Sequence, residues 1–441
     1  MSSVELRRVL FLAPSAYPLG GVAVWLEYLC PGLAALGLDP VVGLVQGKAH
    51  DVENYRRAYP GLKTVAIGNP TGSAEGRRRA VVKAIDQVQP DLVVGVNIAD
   101  TYPAIRRMRA QGKVPPRVAM SLHGIESDLL SDLRANSDVV DAVISSNRLA
   151  CRLCELEAGV APSRIFYAPY GVDQSALGTL AQVRPSDSRL RIAWVGRLEQ
   201  DQKQVHELPA ILQACDSLGL SYVLRIAGDG PERDSVLRKL APWIESGSVQ
   251  WLGALPVSRV PSEVYACSDV LLLTSTWETG PIVIWEAMAA GTCVVTSRYV
   301  GSGLEAALTN KQNCLMFVPG DSMAAAQQLA RAQSASLRAE LTAAARDLIT
   351  ERYSREHSIR SWASAFAAIM HLPRTDALPE LPPPPSGRLD RWLGTGTGES
   401  VRAILGIAHA ATSPGDEWPH THSPLGRRDE LLARAKSLDC P

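Results

Sequence analysis

Short runs of aliphatic and β-branched residues recur along this chain and alternate with stretches of helical periodicity. Strand candidates fall at 9–13, 41–45, 91–96, 118–122, 142–146 and 165–169, then at 191–196, 222–227, 249–252, 270–275, 292–297 and 315–318. Most are continuous apolar runs rather than alternations. That is the pattern of parallel strands buried on both faces. Helical segments such as 22–36, 76–89, 231–245 and 321–334 lie between them. The rhythm predicts an α/β protein with doubly wound parallel sheets. Twelve strands are too many for one comfortable sheet, and 441 residues suit two domains. The expected division is an N-terminal Rossmann-like domain over 1–180, a polar linker AQVRPSDSR at 181–189, and a C-terminal Rossmann-like domain over 190–354. A last helix at 355–371 is placed to pack back on the N-terminal domain.

The composition changes after that helix. Residues 372–441 hold ten of the 30 prolines, among them the run Pro382 to Pro385, and the glycine-rich GTGTG. Such a stretch buries little apolar surface to offset its ordering entropy, so most of it is expected to be disordered. Short helices are allowed at 389–394 and 427–438. Lys+Arg and Asp+Glu both number 45, which argues against bulk capture of nucleic acid. Apolar runs such as VLLL at 270–273 are far short of the ~20 residues of a membrane span. The N-terminal VLFLA is cut by Pro14 and reads as a buried strand, not a signal peptide. The eight cysteines are scattered and several lie in apolar stretches, which fits a reducing cytoplasm. Cys151 and Cys154 form a lone C-x-x-C with no second pair, so no metal site is expected.

Three stretches carry chemistry. Gly20 and Gly21 follow the first strand and open a helix. Glycine lets the backbone turn sharply there, and the helix start offers N–H groups to an anion, although a plain tight turn has the same sequence. Arg197 and Lys203 follow the strand at 191–196. In open α/β sheets ligands bind beyond the carboxyl ends of strands, so these cations are placed either to neutralise a diphosphate or simply to face water. The third stretch runs from Glu278 through Gly280, Pro281 and Ile282 to Glu286 and Gly291. Pro281 suits a first helical turn and Gly291 the position just past the end, giving a helix at about 281–290. Glu278 then lies in the loop before it, and Glu286 within it among apolar neighbours. A carboxylate accepting two adjacent hydroxyls is a normal way to hold a ribose.

Together these stretches resemble family 4 of the retaining glycosyltransferases with the GT-B fold. The two acids separated by seven residues, Glu278 and Glu286, are that family's signature. GGVAVWLEYL at 20–29, APYGVD at 168–173, VGRLEQDQK at 195–203, AGDGPERDSV at 227–236 and EAMAAGTCVV at 286–295 follow in the family's order. The resemblance covers roughly residues 8–371. It implies two domains facing across a cleft that closes over the donor. It implies transfer from a UDP- or GDP-linked sugar to a hydroxyl acceptor, with retention and without metal or other cofactor. It makes Gly20 and Gly21 the loop near the donor diphosphate, and Arg197 and Lys203 the pair that stabilises the leaving group. Glu286 becomes the ribose acid, Glu278 the acid near the donor sugar, and His123 the active-site histidine. Gly280, Pro281 and Ile282 enter the donor loop, and the backbone around Trp251, Leu252 and Leu255 frames the base.

The sequence departs from the family in three places. The loop reads Glu278-Thr279-Gly280-Pro281 where Glu-x-Phe-Gly is common, and Pro281 lacks an N–H. Gln204 stands where glycine usually follows the lysine, and Tyr170 replaces an asparagine. No Asp-x-Asp occurs, which fits charge neutralisation by side chains and helix ends. Residues 51–120 hold twelve Lys/Arg against six Asp/Glu, including Arg77, Arg78, Arg79, Arg106, Arg107 and Arg109. Such a face is placed either to meet anionic lipid at the inner surface of a membrane, where a lipid-linked acceptor would lie, or to be solvated. Cell-surface polysaccharide or glycolipid assembly follows as an expectation. A nucleotide-sugar epimerase of the same fold and a non-catalytic binding module are the competing readings.

Overall fold

The structure is a computed structural model that describes residues 6–18, 20–179, 189–375, 380, 382–424, 426 and 428–439. It divides into two compact units, the first made of residues up to 146 with 150–168 and 359–431, the second of 147–149, 169–358 and the residues from 432. The division falls at Ala168, earlier than the linker expected at 181–189, of which 181–188 lie outside the described residues.

The first unit carries β1 (Arg8–Pro14), β2 (Asp39–Gln46), β3 (Thr64–Gly68), β4 (Leu92–Gly95), β5 (Arg117–Leu122), β6 (Ala142–Ser145) and β7 (Ile165–Tyr167). They form one parallel sheet in the order β3-β2-β1-β4-β5-β6-β7. Val9 to Leu12 have no exposed surface, as the uninterrupted apolar run required. The helix Gly21–Ala35 lays Trp25 edge-on to Phe11, with ring centroids 5.7 Å apart. Trp362 and Phe366 of the helix Arg355–Met370 join them, Trp362 at 4.6 Å from Trp25. The edge strand β3 was missed in the sequence because only Ile67 of its five residues is fully buried.

The second unit carries β8 (Leu190–Val195), β9 (Tyr222–Ala227), β10 (Val249–Gly253), β11 (Val270–Leu273), β12 (Cys293–Ser297) and β13 (Leu315–Phe317). Their order is β10-β9-β8-β11-β12-β13, all parallel. Alternate residues feed two cores. Ile192 and Trp194 pack with Leu208, Leu212 and Leu224 on one face, whereas Ala193 packs with Leu271, Leu273, Ile284 and Met288 on the other. In each unit the order reverses beside the first strand, between β1 and β4 or β8 and β11. A crevice opens at such a point beyond the carboxyl ends of the strands. Both Rossmann-like parallel-sheet units of the GT-B fold are therefore present.

Two expectations need correction. The tail, expected to be mostly disordered, holds helices at Arg388–Leu393, Thr395–Leu405, Pro414–Glu417 and Arg428–Leu438. It is held by carboxylates rather than by an apolar core. Glu399 accepts hydrogen bonds from Thr71 Oγ1 (2.7 Å) and Ser73 Oγ (2.5 Å). Glu417 accepts from the N–H groups of Lys48 (2.6 Å) and Ala49 (3.0 Å), and the Trp418 side chain is fully buried. Charge-assisted bonds of this kind are roughly twice as strong as neutral ones.

Six arginines of the basic stretch expected over 51–120 are bonded within the protein. Arg77 pairs with Asp100 (2.7 Å), Arg78 with Glu380 (2.8 Å), and Arg79 with Glu75 (2.7 Å). Arg107 bridges Glu75 and Glu380, Arg106 pairs with Asp138, and Arg109 donates to the Asp138 carbonyl. Two of the carboxylates that neutralise this face, Glu380 and Asp138, lie outside the 51–120 stretch, so a local charge count could not reveal the pairing.

Candidate active site

At the carboxyl edge of the second sheet, β8 runs into Gly196, Arg197 and Leu198. Leu198 is fully buried and fixes the turn. Its N–H donates to the Asp229 carbonyl (3.0 Å), and its carbonyl accepts from the Glu232 N–H (3.0 Å). Gly228 explains one glycine of the AGDGPE stretch. Its φ is +148°, and a Cβ there would collide with the Gly196 carbonyl oxygen. Arg197 emerges from this turn exposed, and among the described residues it has no hydrogen-bond or ion-pair partner.

The following loop is tied at several points. Glu199 Oε1 accepts from the N–H groups of Gln202 (3.1 Å) and Lys203 (2.7 Å). Thr274 Oγ1 donates to the Lys203 carbonyl (2.6 Å) and accepts from Trp194 Nε1 (3.1 Å). Gln204 has φ +51° and ψ +40°. The site of the family's glycine is thus a left-handed backbone position, and this chain holds a side chain there at a conformational cost.

Lys203 and Glu278, 75 residues apart in sequence, meet directly: Lys203 Nζ donates to Glu278 Oε1 at 2.6 Å. Ser275 Oγ donates to the same oxygen (2.7 Å) and Gln202 Nε2 to Oε2 (3.0 Å). The Glu278 side chain is 6% exposed and that of Lys203 15%. The Lys203 stem passes beside Gly196, where a Cβ would stand 3.6 Å from Cδ and Cε. So the geometry joins Lys203 and Glu278 beyond the ends of β8 and β11, with Arg197 leaving the turn next to Gly196, beside which the Lys203 stem runs.

Gly280 has φ +147°, and Pro281 caps the helix Ile282–Ala289. Ile282 and Leu252 are half-buried against the core behind this helix. Glu286 lies within the helix and accepts from Tyr265 Oη at Oε2 (2.8 Å). Burial pushes its pKa up to about 7, against the lowering effects of the Tyr265 bond and the charge of Arg355. Burial and the Glu286 charge hold Tyr265 as a phenol well above its ordinary range, so it remains a donor. Trp251 is exposed, donates from Nε1 to the Gly228 carbonyl (3.3 Å), and lies under the Arg233 guanidinium at 5.6 Å.

Beyond β12 the N–H groups of Gly301 (2.6 Å) and Gly303 (3.0 Å) converge on Asp439 Oδ2, and that of Leu304 on Oδ1 (2.8 Å). The Glu278 N–H donates to the Val300 carbonyl (3.0 Å), so this loop abuts the one bearing Glu278. The Asp439 seat, Gln202, Ser275 and Tyr265 were all missed in the sequence. Only the closeness of Ser275 and Gln202 to the motif residues pointed to any of them.

In the first unit, Gly20 is the N-cap of the helix Gly21–Ala35, extended at φ −79°, with no side chain capping the first turn. His123 follows β5. The Ser121 hydroxyl donates to the Gly95 carbonyl (3.0 Å), which assigns the Nε2 proton of His123 to a bond with Ser121 Oγ (3.0 Å). Its ring lies 5.0 Å from that of Trp25, and burial lowers its pKa to about 4. The tail reaches the carboxyl edge of this sheet. Trp418 Nε1 donates to the Gln46 carbonyl (3.2 Å), and His420 Nδ1 lies 3.1 Å from the Asn97 carbonyl.

Comparison with known proteins bears on this arrangement. Residues 189–334 match the family model of glycosyl transferases group 1. Glycogen synthase of Mycobacterium tuberculosis is 27% identical over 226 residues, covering 51% of this chain and 52% of that protein. The chain thus matches about half the length of these curated relatives. Among solved structures, a lipopolysaccharide outer core galactosyltransferase has a TM-score of 0.63 at 17% identity, covering 81% of this chain and 99% of its own. Anabaena HepE in complex with UDP and glucose scores 0.66 at 19% identity, with 82% and 100% covered. The sucrose-phosphate synthase of Thermosynechococcus elongatus scores 0.67 at 15% identity, with 82% and 98% covered. At these identities the likeness is one of fold.

Proposed function

We propose that this chain is a glycosyltransferase of family 4 that moves a sugar from a nucleoside-diphosphate sugar to a hydroxyl acceptor. The observation that carries the reading is the bond between Lys203 and Glu278 at the strand-order reversal of the second sheet, with Arg197 at the end of β8, inside the segment that matches glycosyl transferases group 1. Arg197, exposed and without a partner among the described residues, meets the diphosphate first. Lys203 exchanges Glu278 for the diphosphate when the donor binds, so both cations are already in place when charge develops on the leaving group in the transition state. Glu286, ionised, accepts the ribose hydroxyls. The carboxyl of Glu278, held by Ser275 and Gln202, then faces the donor sugar. Transfer proceeds with retention by attack on the face the diphosphate leaves, and needs no metal. By the same resemblance, Gly20, Gly21 and His123 act on the donor side, and His123 does so as a neutral imidazole. Relatives named for glycogen, lipopolysaccharide and UDP chemistry support a nucleotide-sugar donor. A cell-surface polysaccharide or a lipid-linked glycan is the acceptor class we favour, at the inner face of a membrane.

A thermal-shift screen of UDP, GDP and their sugar conjugates tests the donor, because a ligand that binds only the folded state raises its stability. A shift with one nucleoside diphosphate, abolished in Arg197→Ala, is expected. Absence of any shift with either nucleotide would remove the reading. Turnover unaffected by a chelator is expected, and interconversion of the donor sugar without any acceptor would instead assign an epimerase.

A further inference from the structure

The helices Arg388–Leu393 and Thr395–Leu405 are built inside out. Their charged residues Asp390, Glu399 and Arg402 are 5%, 4% and 2% exposed. Arg402 pairs with Asp390 at 2.6 Å and lies 3.6 Å from Glu399, which is itself bound to Thr71 and Ser73. A Cβ on Gly398 would collide with Asp390, so the two helices meet through this charged face. Arg79 Nη2 holds the Gly396 carbonyl at 2.7 Å. The apolar side chains point the other way. Trp392 is 87% exposed, Ile404 82% and Leu405 64%, with Leu393 and Ile407 also exposed. Five of the 15 exposed large apolar side chains among the described residues fall within residues 392–407. All of 403–410 (AILGIAHA) is exposed.

A helix in water buries its apolar stripe and exposes its charges. The reverse pattern needs an apolar medium outside. Between 388 and 410 both carboxylates are buried, so the exposed charges are Arg388 and Arg391 alone. A protruding set of Trp, Leu and Ile flanked only by cations matches a surface whose interior is hydrocarbon and whose headgroups are anionic. With six and 11 residues these helices are too short to span a bilayer. No helix among the described residues is long and apolar enough to cross one.

We infer that the helix pair 388–407 docks the first unit onto an anionic lipid bilayer, with Trp392, Leu393, Ile404, Leu405 and Ile407 in the acyl boundary and Arg388 and Arg391 at the headgroups. This replaces Arg77, Arg78, Arg79, Arg106, Arg107 and Arg109, which are bonded within the protein, as the membrane-facing surface. It does not depend on the transfer reaction. The test is flotation of the full chain with vesicles of phosphatidylcholine alone or mixed with phosphatidylglycerol. The wild-type chain floats with the mixed vesicles and much less with the neutral ones. The triple variant W392S/I404S/L405S loses binding by tenfold or more, and R391E loses it by several-fold. All four side chains are exposed, so thermal midpoint and nucleotide binding stay at wild-type values, which separates this result from misfolding and from failure of the donor reading. A wild-type chain that floats with neither vesicle overturns the proposal, as does a triple variant that still floats. A wild-type dimer by light scattering that the triple variant converts to monomer assigns the face to a second copy and also overturns it.

Discussion

Glu75 in the first unit and Glu278 in the second are both buried carboxylates paired with cations, yet they sit in different kinds of place. Glu75 lies at the start of a helix and takes three guanidinium N–H bonds, from Arg79 Nε (2.7 Å) and from Arg107 Nη1 (2.7 Å) and Nη2 (2.9 Å). Glu278 lies beyond the end of β11 and takes one ammonium, one hydroxyl and one amide. A guanidinium fork locks geometry, whereas an ammonium is a mobile point charge. The first cluster is a fastening between helices. The second stands where a sheet of this order receives a ligand, and its lysine can change partners.

The comparison is broken most directly at Glu75. Removing one partner of a buried pair costs about 3–5 kcal/mol because the other charge is left uncompensated. Glu75→Ala is expected to lower unfolding stability by about that much in denaturant titrations. Burial raises the Glu75 pKa, but the bonds from Arg107 and Arg79 outweigh it and hold the group below its ordinary value. Its contribution is therefore present above the ordinary carboxylate range and lost as pH falls. An unchanged midpoint would show that the fastening is not structural.

Arg197→Ala should do the opposite. The side chain is exposed and has no partner among the described residues, so stability should hold while turnover falls about 10²-fold, or about 2.7 kcal/mol. Initial rates with a labelled donor, set beside a melting curve, read both. A loss of stability without loss of rate would place Arg197 with the fastenings.

Glu286 sharpens the contrast through pH. Its pKa is raised to about 7, so the fold favours the protonated form. The stability it contributes is full below the ordinary value of 4.5 and is lost as pH rises through about 7. Holding ribose needs the ionised form, so nucleoside diphosphate affinity should rise several-fold over the same window. Calorimetry across pH should show this rise in the wild-type chain and its loss in Glu286→Gln. A wild-type affinity flat across neutrality would disconnect Glu286 from the nucleotide.

The smallest effect is expected at Gln204. Replacing it with glycine relieves a left-handed φ and should raise stability by roughly 0.5–1 kcal/mol. A lower melting point for Gln204→Gly would show that the side chain compensates for the strain.

The two regions also differ in how legible they were. All six strands of the second sheet were readable from apolar runs and turn residues, with Arg197 just past β8, Glu278 in the loop after β11 and Glu286 inside the following helix. Those signals are local. The bond between Lys203 and Glu278 was not readable, since nothing near either residue announces a partner 75 positions away. The tail failed for the same reason. Its order depends on Glu399 and Glu417 finding groups at 71–73 and 48–50, and composition counts only what a segment brings itself. The inverted helices at 388–407 were hidden too, because a hydrophobic pattern does not say which side faces the protein.

The Lys203–Glu278 bond has a consequence for energetics. An ammonium already neutralised by a carboxylate brings no net charge to an arriving diphosphate, and among the described residues Arg197 is the cation of the trio without a carboxylate partner. If the proposed donor binds here, its capture is an exchange in which one anion displaces another, while Ser275 and Gln202 still support the displaced carboxylate. Affinity for a nucleotide bound in that way would report the difference between two anions in the same grip, and the hold on the product would relax once Glu278 took its lysine back.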